Sequence, residues 1–407
     1  MPQYFFILGK NKNLSIAEIA GKFANGADFV SAELADGALM VESKKELNPT
    51  IMLNELGGTV KIGEVLKSID NLGCINAKEI IALLSFKDKK KVFFGFSSYG
   101  FLNNTKLAKQ IQKLALILKK ELKARGFTSR WVTSKELQLS SVIVKKNRLL
   151  EQGAEIIFIQ ARNMLYLGKT LAVQEFADYS FRDYGRPARD SASGMLPPKL
   201  AKIMVNLAWA EKSDAILDPF CGSGTILSEA AFLGYQNLIG VDISQKAISD
   251  SRDNLEWLER NFKFKILNLK LLNIDVRIIS QKIAANSIDV IVTEPYLGPT
   301  KLLKSEEEVK KVIAELSELY LKSFGEFKKV LKPQAKIVII LPILKIKNKL
   351  FQLPILDEIK KYGFKTESFL PSFWPPDLVQ TTARGSIIYS RPDQYVLREI
   401  FIFSSKD

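Results

Sequence analysis

A short turn rich in glycine, residues 218–225 (DPFCGSGT), follows the apolar run 215–217 and precedes a helical pattern. Because Gly222 and Gly224 carry no Cβ, the backbone can turn sharply there and a ligand can lie against its N–H groups. The first turn of a helix adds unpaired N–H donors and a partial positive charge, which suit a carboxylate or phosphate. The order strand, glycine turn, helix therefore predicts a ligand site at this turn.

An acidic residue, Asp242, ends the next apolar run, residues 238–241. An acid at the tip of the second strand can hold two ribose hydroxyls. A dinucleotide site requires a third glycine three residues after the second, and Leu227 stands at that position, which disfavours NAD. The loop instead resembles the S-adenosylmethionine loop of amino-group methyltransferases. A purely structural glycine turn in another α/β protein is the alternative.

A second segment with chemical potential, Thr293-Glu294-Pro295-Tyr296, leaves the tip of a predicted strand. It resembles the Asn/Asp-Pro-Pro-Tyr motif of enzymes that methylate exocyclic amines of bases. Such an amine is a poor nucleophile because its lone pair is delocalised, so acceptors on its N–H groups and an aromatic residue stacked on the base assist the reaction. Thr293 replaces the usual Asn or Asp, and Glu294 replaces the first proline. Glu294 is therefore a candidate to supply the carboxylate, whereas a strand end with a Pro-Tyr turn is the structural alternative.

The composition restricts the possible functions. The 407 residues are 47% hydrophobic and 25% charged, as in ordinary soluble globular proteins, and no apolar run approaches the roughly 18 residues of a membrane span. The absence of histidine excludes a histidine base, a Ser-His pair and a His-ligated metal. Cys74 and Cys221 form neither a disulfide framework nor a metal site, and residues 1–13 show no secretory signal. We expect a cytoplasmic protein without a metal.

The net charge of +15 favours a polyanionic partner such as nucleic acid. Residues 101–150 contain twelve lysines or arginines and only two acids, so the excess is concentrated in one region. A predicted helix, 105–125, carries apolar residues at helical spacing on one face and lysines on the others. A solvated helix face is the alternative to RNA binding. The candidate RNA contacts on this helix are Lys106, Lys109, Lys113 and Lys120.

The pattern along the chain indicates an α/β protein of several domains. Residues 1–68 have the order βαββαβ of a ferredoxin-like unit. Residues 69–173 form a small basic α/β domain that resembles a THUMP domain, an RNA-binding module. Residues 174–194 match neither helix nor strand and are interpreted as an interdomain linker. Three linker arginines are candidates to contact RNA phosphate or to bind neighbouring acids: Arg182, Arg186 and Arg189.

From residue 195 to 407 strands and helices alternate, which predicts a doubly wound, mostly parallel sheet. Ligands in such sheets bind beyond the carboxyl ends of the strands. Asp218, Asp242, Asp275 and the segment 293–296 all fall at predicted strand ends. We therefore expect these distant stretches to converge on one crevice.

Together these features resemble the THUMP-domain tRNA guanine-N2 methyltransferases. The resemblance rests on the segments YFFILGKNKNLSIAEI, RDYGRPARD, GMLPPKLAKIMVNLA, DPFCGSGT and YVLREIFIF. It implies a ferredoxin-like domain, a THUMP domain and a Rossmann-like methyltransferase domain, with S-adenosylmethionine as cofactor. It also implies a guanine in tRNA, position 10 in particular, as the target. Some relatives in the family work with a small activator protein, and we expect a monomer.

The resemblance also assigns residues to roles. Asp242, with Ile243 beside it, would bind the ribose, and Asp275 or its neighbour Asn273 would face the adenine amine. The guanine would be received by Thr293, Glu294, Pro295 and Tyr296. The methionine part of the cofactor would be held by the loop residues Asp218, Pro219, Phe220, Cys221, Gly222, Gly224 and Thr225.

Two other functions are compatible with the same motifs. A DNA adenine or cytosine amino-methyltransferase would share both motifs, although enzymes of this type lack a THUMP-like domain. A non-catalytic tRNA-binding protein could keep the methyltransferase fold without the reaction.

Overall fold

The computed structural model describes residues 1–84, 91–102, 104–162, 164–189, 195–299, 302–391 and 394–405. By its internal contacts the chain divides into two compact units. Unit 1 comprises Met1–Ile16, Asn25–Phe176 and Ser372–Leu378. Unit 2 comprises Ala17–Ala24, Ala177–Pro371 and Val379–Asp407.

The first elements of the chain have the βαββαβ order that the sequence predicts. They are β1 (Gln3–Leu8), α1 (Lys12–Gly21), β2 (Phe29–Ala35), β3 (Ala38–Ser43), α2 (Pro49–Glu55) and β4 (Thr59–Ile69). Asn48 caps α2 by accepting a hydrogen bond from the Ile51 N–H, and Pro49 occupies the first helical position, where its missing N–H costs nothing.

A capping box at residues 15–18 also predicts that α1 begins at Ser15, and this prediction is wrong. The helix begins at Lys12, because the Asn11 side chain accepts a hydrogen bond from the Leu14 N–H. The Ser15 hydroxyl instead lies inside the helix and donates to the backbone oxygens of Asn11 and Gly58.

The remaining elements up to residue 173 extend the same sheet. They are α3 (Ala77–Leu84), β5 (Lys91–Tyr99), α4 (Asn104–Ala124), β6 (Thr128–Val132), α5 (Ser141–Lys146), α6 (Leu149–Gln152), β7 (Gly153–Ala161) and β8 (Met164–Val173). The strand order is β2-β3-β1-β4-β8-β7-β5-β6. The sheet thus continues across the boundary expected between residues 68 and 69, because β4 pairs with β1 on one side and β8 on the other.

Helix α4 buries the apolar face that its sequence spacing predicts. The buried side chains are Leu107, Ile111, Leu114, Ala115, Leu118 and Leu122. They pack with residues of β5, β7 and β8, including Phe94, Phe158 and Leu167.

The part of the chain after residue 173 begins with a helix, α7 (Phe176–Tyr184), where the sequence pattern predicts an irregular linker. That expectation is wrong for these residues, because Tyr179 and Arg182 are buried on one face of a regular helix. Residues 190–194 of the expected linker lie outside the described residues.

Unit 2 is a Rossmann-like sheet with helices, as the sequence predicts. The further elements are α8 (Pro198–Leu207), β9 (Ala215–Asp218), α9 (Thr225–Phe232), β10 (Asn237–Asp242), α10 (Gln245–Phe262), β11 (Asn268–Asn273), β12 (Ile288–Thr293), α11 (Glu306–Val330), β13 (Leu331–Ile346), β14 (Lys349–Gln352), α12 (Leu356–Lys361), β15 (Phe364–Thr366), β16 (Ile387–Tyr389) and β17 (Val396–Ser405). The order is β11-β10-β9-β12-β13-β17-β15, with β14 on β13 and β16 on β17.

The five strands from β11 to β13 are parallel, whereas β17 pairs antiparallel with β13. The chain runs outward from β9 to β11 and then returns to place β12 on the other side of β9. This reversal is the topological switch point, where open α/β sheets form a ligand crevice. The carboxyl ends of β9 and β12 meet there, at Asp218 and Thr293.

Among the residues that the structure describes, no helix combines the length and hydropathy needed to cross a bilayer.

Candidate active site

A cavity of about 710 Å³ opens at the carboxyl ends of β9, β10 and β12 within unit 2. Its volume lies in the range of sites for small molecules and cofactors. It brings together four stretches that are far apart in sequence: residues 218–225, the region around Asp242, the region around Asp275, and residues 294–298. The convergence expected from the sequence is therefore present in the described structure.

The glycine turn takes the conformation that its sequence permits. Gly222 has φ of 52° and Gly224 has φ of 79°, both in the left-handed region that favours glycine. A Cβ on Gly224 would lie 3.0 Å from the Ser251 hydroxyl oxygen. Gly224 is the N-cap residue of α9, and no side chain caps that helix start. The first N–H groups of α9 are thus next to the cavity, where an anionic group can accept from them.

Helix α10 and strand β10 hold this turn in place. The Ser251 hydroxyl donates to the Gly222 carbonyl oxygen at 2.7 Å, and the Asn254 amide donates to the Ser223 carbonyl oxygen at 2.8 Å. The Gly222 N–H donates to the Asp242 carboxylate at 3.0 Å. Ser251 and Asn254 are buried positioning residues that the sequence motifs do not reveal.

Asp242 lines the cavity and accepts hydrogen bonds from the Gly222 and Ser244 N–H groups, the latter at 2.8 Å. These two bonds fix the carboxylate and leave further lone pairs on its oxygens. Next to it, the Ile243 side chain is 69% exposed and lines the same cavity. An acid beside an exposed aliphatic side chain suits a ribose and its attached base.

Asp275 also lines the cavity, at the start of a short 3-10 turn (Val276–Gln281). Its carboxylate accepts from the Arg277 backbone N–H and pairs with the Arg277 guanidinium. Hydrogen bonding to Arg277 holds the pKa of Asp275 below its usual range. The alternative, Asn273, uses its amide to donate to the carbonyl oxygens of Asp242 and Ile243. Of the two, only Asp275 is in the cavity wall.

Asp218 is 1% exposed, although it lies in the wall of the cavity. Its Oδ1 accepts from the Thr293 hydroxyl at 2.7 Å and from the Phe220 N–H at 3.2 Å. Burial raises the pKa of Asp218 to about 7, although both hydrogen bonds act in the opposite direction. A cation bound beside this carboxyl would favour its ionised form.

Thr293 does not face the cavity, which corrects its prediction as a residue that receives the base. Its side chain is completely buried, and its hydroxyl donates a hydrogen bond to the Asp218 carboxyl. Thr293 therefore joins the ends of β12 and β9 and cannot offer its oxygen to a base from inside the sheet.

Glu294 does line the cavity, and its carboxylate forms an ion pair with Arg398 of β17. Arg398 Nε donates to Glu294 Oε1 at 2.5 Å, and Arg398 Nη2 lies 3.5 Å from Oε2. The two side chains are only 12% and 8% exposed. Burial raises the pKa of Glu294, and the Arg398 charge opposes that rise.

Arg398 is not among the residues that the sequence motifs predict for the site. A signal was available, because Arg398 and Glu399 interrupt the otherwise apolar β17. Charged residues inside a buried strand are almost always paired. The partner of Arg398, however, lies 104 residues earlier in the chain.

Pro295 and Tyr296 complete this wall of the cavity. The Tyr296 ring is 58% exposed, while its backbone oxygen accepts a 2.7 Å hydrogen bond from the buried Tyr320 hydroxyl of α11. The backbone is thereby held, and the ring is presented to solvent at the cavity. This is the arrangement that a stacking residue requires.

Two of the three linker arginines are buried within unit 2, so their prediction as RNA contacts is wrong. Arg182 forms a hydrogen-bonded ion pair with Glu229 of α9 at 2.7 Å, and both side chains are nearly inaccessible. Arg186 donates to the Thr225 hydroxyl at 2.7 Å. Only Arg189 is exposed, and its guanidinium stacks over the Tyr184 ring at 4.9 Å.

In unit 1 the four candidate lysines of α4 are exposed, as an RNA-binding role requires. They are Lys106, Lys109, Lys113 and Lys120. Their exposure is equally expected of a solvated helix face.

The donor set of the cavity fits S-adenosylmethionine. The buried Asp218 carboxyl and the start of α9, which lies in the cavity wall without a side-chain cap, suit the zwitterionic methionine part. Asp242, Ile243 and Asp275 provide a carboxylate, an apolar surface and a second carboxylate for ribose and adenine. The site residues present in this structure are therefore compatible with that cofactor.

Comparisons with protein-family models identify a methyltransferase domain. Residues 186–364 match the family described as RMKL-like, methyltransferase domain. A DNA methylase model matches residues 60–253, which include part of unit 1 and the glycine turn.

The solved structures that resemble this chain show its fold. TrmN from Thermus thermophilus aligns over 99% of both chains with a TM-score of 0.54 and 14% identity. A possible methylase from Clostridium difficile 630 aligns over 99% of this chain and 98% of that chain, with a TM-score of 0.51 and 10% identity.

Curated relatives are similar mainly over a part of their length. The tRNA (guanine(10)-N2)-dimethyltransferase of Methanocaldococcus jannaschii is 38% identical over 135 residues, 33% of this chain and 37% of that protein. The U6 snRNA (guanine-N(2))-methyltransferase THUMPD2 of Bos taurus is 30% identical over 118 residues, 29% of this chain and 22% of that protein. The match thus spans about a third of the first of these relatives.

A third relative is covered further. The protein of Methanothermococcus thermolithotrophicus named "Probable tRNA (guanine(10)-N2)-dimethyltransferase" is 35% identical over 111 residues, which are 27% of this chain and 67% of that protein. At 35% identity over two thirds of that protein, this match shows that the chain belongs to the tRNA (guanine-N2)-methyltransferase family.

Proposed function

We propose that this protein transfers a methyl group from S-adenosylmethionine to the exocyclic N2 of a guanine in tRNA, position 10 being the best candidate. The observation that carries this proposal is the cavity that joins the glycine turn and Asp242 to Glu294 and Tyr296. A cofactor site and a base-receiving site must share one crevice for methyl transfer, since the reacting atoms have to be held in contact. The names and matched regions of the relatives support the choice of guanine and tRNA.

The proposed roles of the residues follow from their chemistry. When bound, S-adenosylmethionine supplies an electrophilic methyl group on a sulfonium. Asp242, Ile243 and Asp275 would hold its adenosine part, and the loop from Asp218 to Thr225 its methionine part. Tyr296 would stack on the target base and orient it, because its backbone is fixed and its ring is exposed.

Glu294 is the proposed acceptor for the amine. Glu294 carries the carboxylate of the segment 293–296, and its side chain lines the cavity. The Thr293 hydroxyl, in contrast, donates its hydrogen bond to Asp218. A carboxylate that accepts from the N2 hydrogens draws electron density onto the nitrogen. It can then take the proton that the nitrogen loses once the new N–C bond has formed.

We propose that tRNA is held partly by the exposed lysines of α4, within the THUMP-like domain proposed for residues 69–173. Lysine contacts to phosphate would supply affinity without base specificity. Arg189, exposed and stacked on Tyr184, is a further candidate.

The proposal is tested by incubating the purified protein with labelled S-adenosylmethionine and unmodified tRNA transcripts, followed by digestion to nucleosides. N2-methylguanosine is the expected product. Another methylated nucleoside would contradict the choice of target atom. Absence of label despite tRNA binding, unchanged by a candidate activator protein, would favour a non-catalytic tRNA-binding protein.

A second candidate function is DNA adenine or cytosine amino-methylation, which the match of residues 60–253 to a DNA methylase model favours. Parallel incubations with duplex DNA distinguish the two. We expect label in tRNA and little in DNA. The reverse result would favour DNA amino-methylation as the function.

A further inference from the structure

The segment 293–296 departs from the Asn/Asp-Pro-Pro-Tyr motif at Glu294, which pairs with Arg398. Glu294 replaces the first proline of that motif, and Arg398 of β17 forms a hydrogen-bonded ion pair with its carboxylate. Each carboxylate oxygen has two lone pairs. Arg398 Nε uses one lone pair of Oε1, and Arg398 Nη2 lies 3.5 Å from Oε2. Each carboxylate oxygen can therefore accept a further hydrogen bond.

The hydrogen-bonding edges of the bases differ in a way that such a carboxylate can detect. Guanine presents two parallel donors, N1–H and N2–H. Adenine and cytosine present an amine beside a ring nitrogen that is itself an acceptor. An ionised carboxylate can accept from both guanine donors, whereas it repels the ring nitrogen of the other two bases. Enzymes that act on an extruded base read it by such contacts to its Watson–Crick edge.

This discrimination requires that Glu294 be ionised, because a protonated carboxyl offers one donor and one acceptor and would match adenine. The charged and titratable groups that act on Glu294 come from three elements. Arg398 of β17 favours its ionised form, while Asp218 of β9 is a nearby acid and Tyr320 of α11 a buried phenol. Arg398 is the group among these that favours the charge, by a hydrogen-bonded contact.

We propose that Glu294 selects guanine over adenine and cytosine by accepting from N1–H and N2–H, and that Arg398 is the positioning residue that keeps its carboxylate oriented and ionised. This inference rests on the proposed function and names the specificity determinant of the same site.

The test uses tRNA transcripts that carry either guanine or 2-aminopurine at the methylated position. 2-Aminopurine keeps the N2 amine, but its N1 is an acceptor. For the unaltered protein we expect kcat/KM to be at least about tenfold higher with guanine, because a site built to bind an N–H rejects an analogue that lacks it. Glu294→Gln offers one acceptor and one donor. It should therefore lower this preference at least about tenfold, even though its overall rate falls.

Arg398→Gln should weaken the preference in the same direction, and Arg398→Lys should restore part of it. Arg260→Gln is the matched control, since Arg260 is an exposed arginine of α10 outside the cavity. We expect it to keep the preference of the unaltered protein. Should Glu294→Gln be inactive, competition between the two transcripts for binding gives the same ratio without catalysis.

The outcomes separate this inference from the function on which it rests. If the unaltered protein forms no N2-methylguanosine, the proposed function fails. If it forms that product but Glu294→Gln keeps the full preference for guanine in rate and in binding, the function stands and the selectivity role is overturned. Equal losses for both substrates in Glu294→Gln would also overturn it, because a merely structural role lowers both alike.

Discussion

At the scale of single residues, two neighbours in the 293–296 segment have separate tasks. The Thr293 side chain is buried and donates a hydrogen bond to Asp218, whereas the Glu294 side chain lines the cavity and pairs with Arg398. Because successive side chains of a strand point to opposite faces, one of these two neighbours is directed away from the cavity at the strand end. The motif resemblance alone could not decide which one would face the base.

The first residue-scale prediction compares these two positions. Glu294→Gln should lower kcat for methyl transfer at least about 100-fold, because a neutral amide is a poor proton acceptor. Thr293→Val should lower kcat less and act mainly on stability, by about 1–3 kcal/mol, since the buried Asp218 carboxyl loses the shorter of its two hydrogen bonds. Single-turnover rates and thermal unfolding measure the two effects. A Thr293→Val protein with normal stability and a larger loss of rate than Glu294→Gln would contradict this assignment.

The second residue-scale prediction concerns pH. The pKa of Asp218 is raised to about 7 by burial, from the ordinary value of 3.8. As pH falls through 7, the carboxyl gains a proton and loses its attraction for the cationic methionine part of the cofactor. The dissociation constant of S-adenosylmethionine should therefore rise up to about tenfold per pH unit below 7.

The same group acts on stability with the opposite sign. Between about pH 4 and pH 7 the folded state keeps a proton that the unfolded chain has lost, so the contribution of Asp218 to stability falls as pH rises through this window. Asp218→Asn removes the titration while keeping an acceptor for Thr293. Calorimetric binding at pH 6, 7 and 8 should show that this variant has lost the pH dependence of cofactor affinity, and an unchanged dependence would assign it to another group.

At the scale of elements, the glycine turn depends on the helix behind it. Ser251 and Asn254 of α10 hold the carbonyl groups of the turn, and β10 supplies Asp242 for the Gly222 N–H. The turn is thus built from three elements rather than from its own residues alone.

The element-scale prediction on this turn uses two glycines of unit 2 with similar backbone angles. A Cβ at Gly224 would be 3.0 Å from the Ser251 hydroxyl oxygen, whereas one at Gly234, with φ of 90°, meets nothing within 4 Å. Gly234→Ala should cost only the strain of a left-handed residue, about 1 kcal/mol. Gly224→Ala should cost more and should also weaken cofactor binding. Equal effects of the two on cofactor affinity would show that the Ser251 contact is unimportant.

A second element-scale prediction concerns α4. If its exposed lysines bind phosphate, the double substitution Lys109→Ala and Lys113→Ala should weaken tRNA binding. It should also reduce the slope of log K against log salt by roughly 2, close to one unit for each lost contact. Lys282→Ala, at an exposed position of unit 2, is the comparison variant. An unchanged salt slope in the double variant would remove α4 from the RNA-binding surface.

At the scale of the whole molecule, charge serves two different purposes. The net charge of +15 is concentrated in residues 101–150, where the candidate lysines of α4 are exposed. Some basic residues are nevertheless enclosed, as Arg182 is with Glu229 and Lys61 is with Glu155. Buried pairs of this kind are needed for the fold once they are present, because loss of one partner leaves an uncompensated charge.

The corresponding prediction contrasts two arginines that are close in sequence. Arg182→Gln should destabilise unit 2 by about 3 kcal/mol, since Glu229 loses two hydrogen bonds from the guanidinium inside the protein and keeps the Lys202 ammonium at 3.7 Å. Arg189→Gln should leave stability within about 0.5 kcal/mol, because the side chain is exposed. Unfolding in urea and the salt dependence of tRNA binding separate the two. A change in salt slope without loss of stability for Arg182→Gln would mean that its side chain reaches RNA.

The fold class and the two segments with chemical potential, residues 218–225 and 293–296, could be predicted from the sequence pattern. Hydrophobic periodicity, glycine spacing and strand-end acids depend on local chemistry, and a short segment contains all of that information. For this reason the βαββαβ order, the apolar face of α4 and the doubly wound sheet could be predicted. The cofactor loop could likewise be predicted before its partners were known.

Which side chains face the cavity depends on contacts between distant parts of the chain. The pairing of Glu294 with Arg398, the burial of Thr293 against Asp218 and the enclosure of Arg182 all join residues at least 47 positions apart. The direction of a side chain at a strand end depends on packing and desolvation across the sheet, which no local pattern contains. The switch point brings the carboxyl ends of β9 and β12 together, and this arrangement of strands turned two separate segments into one site.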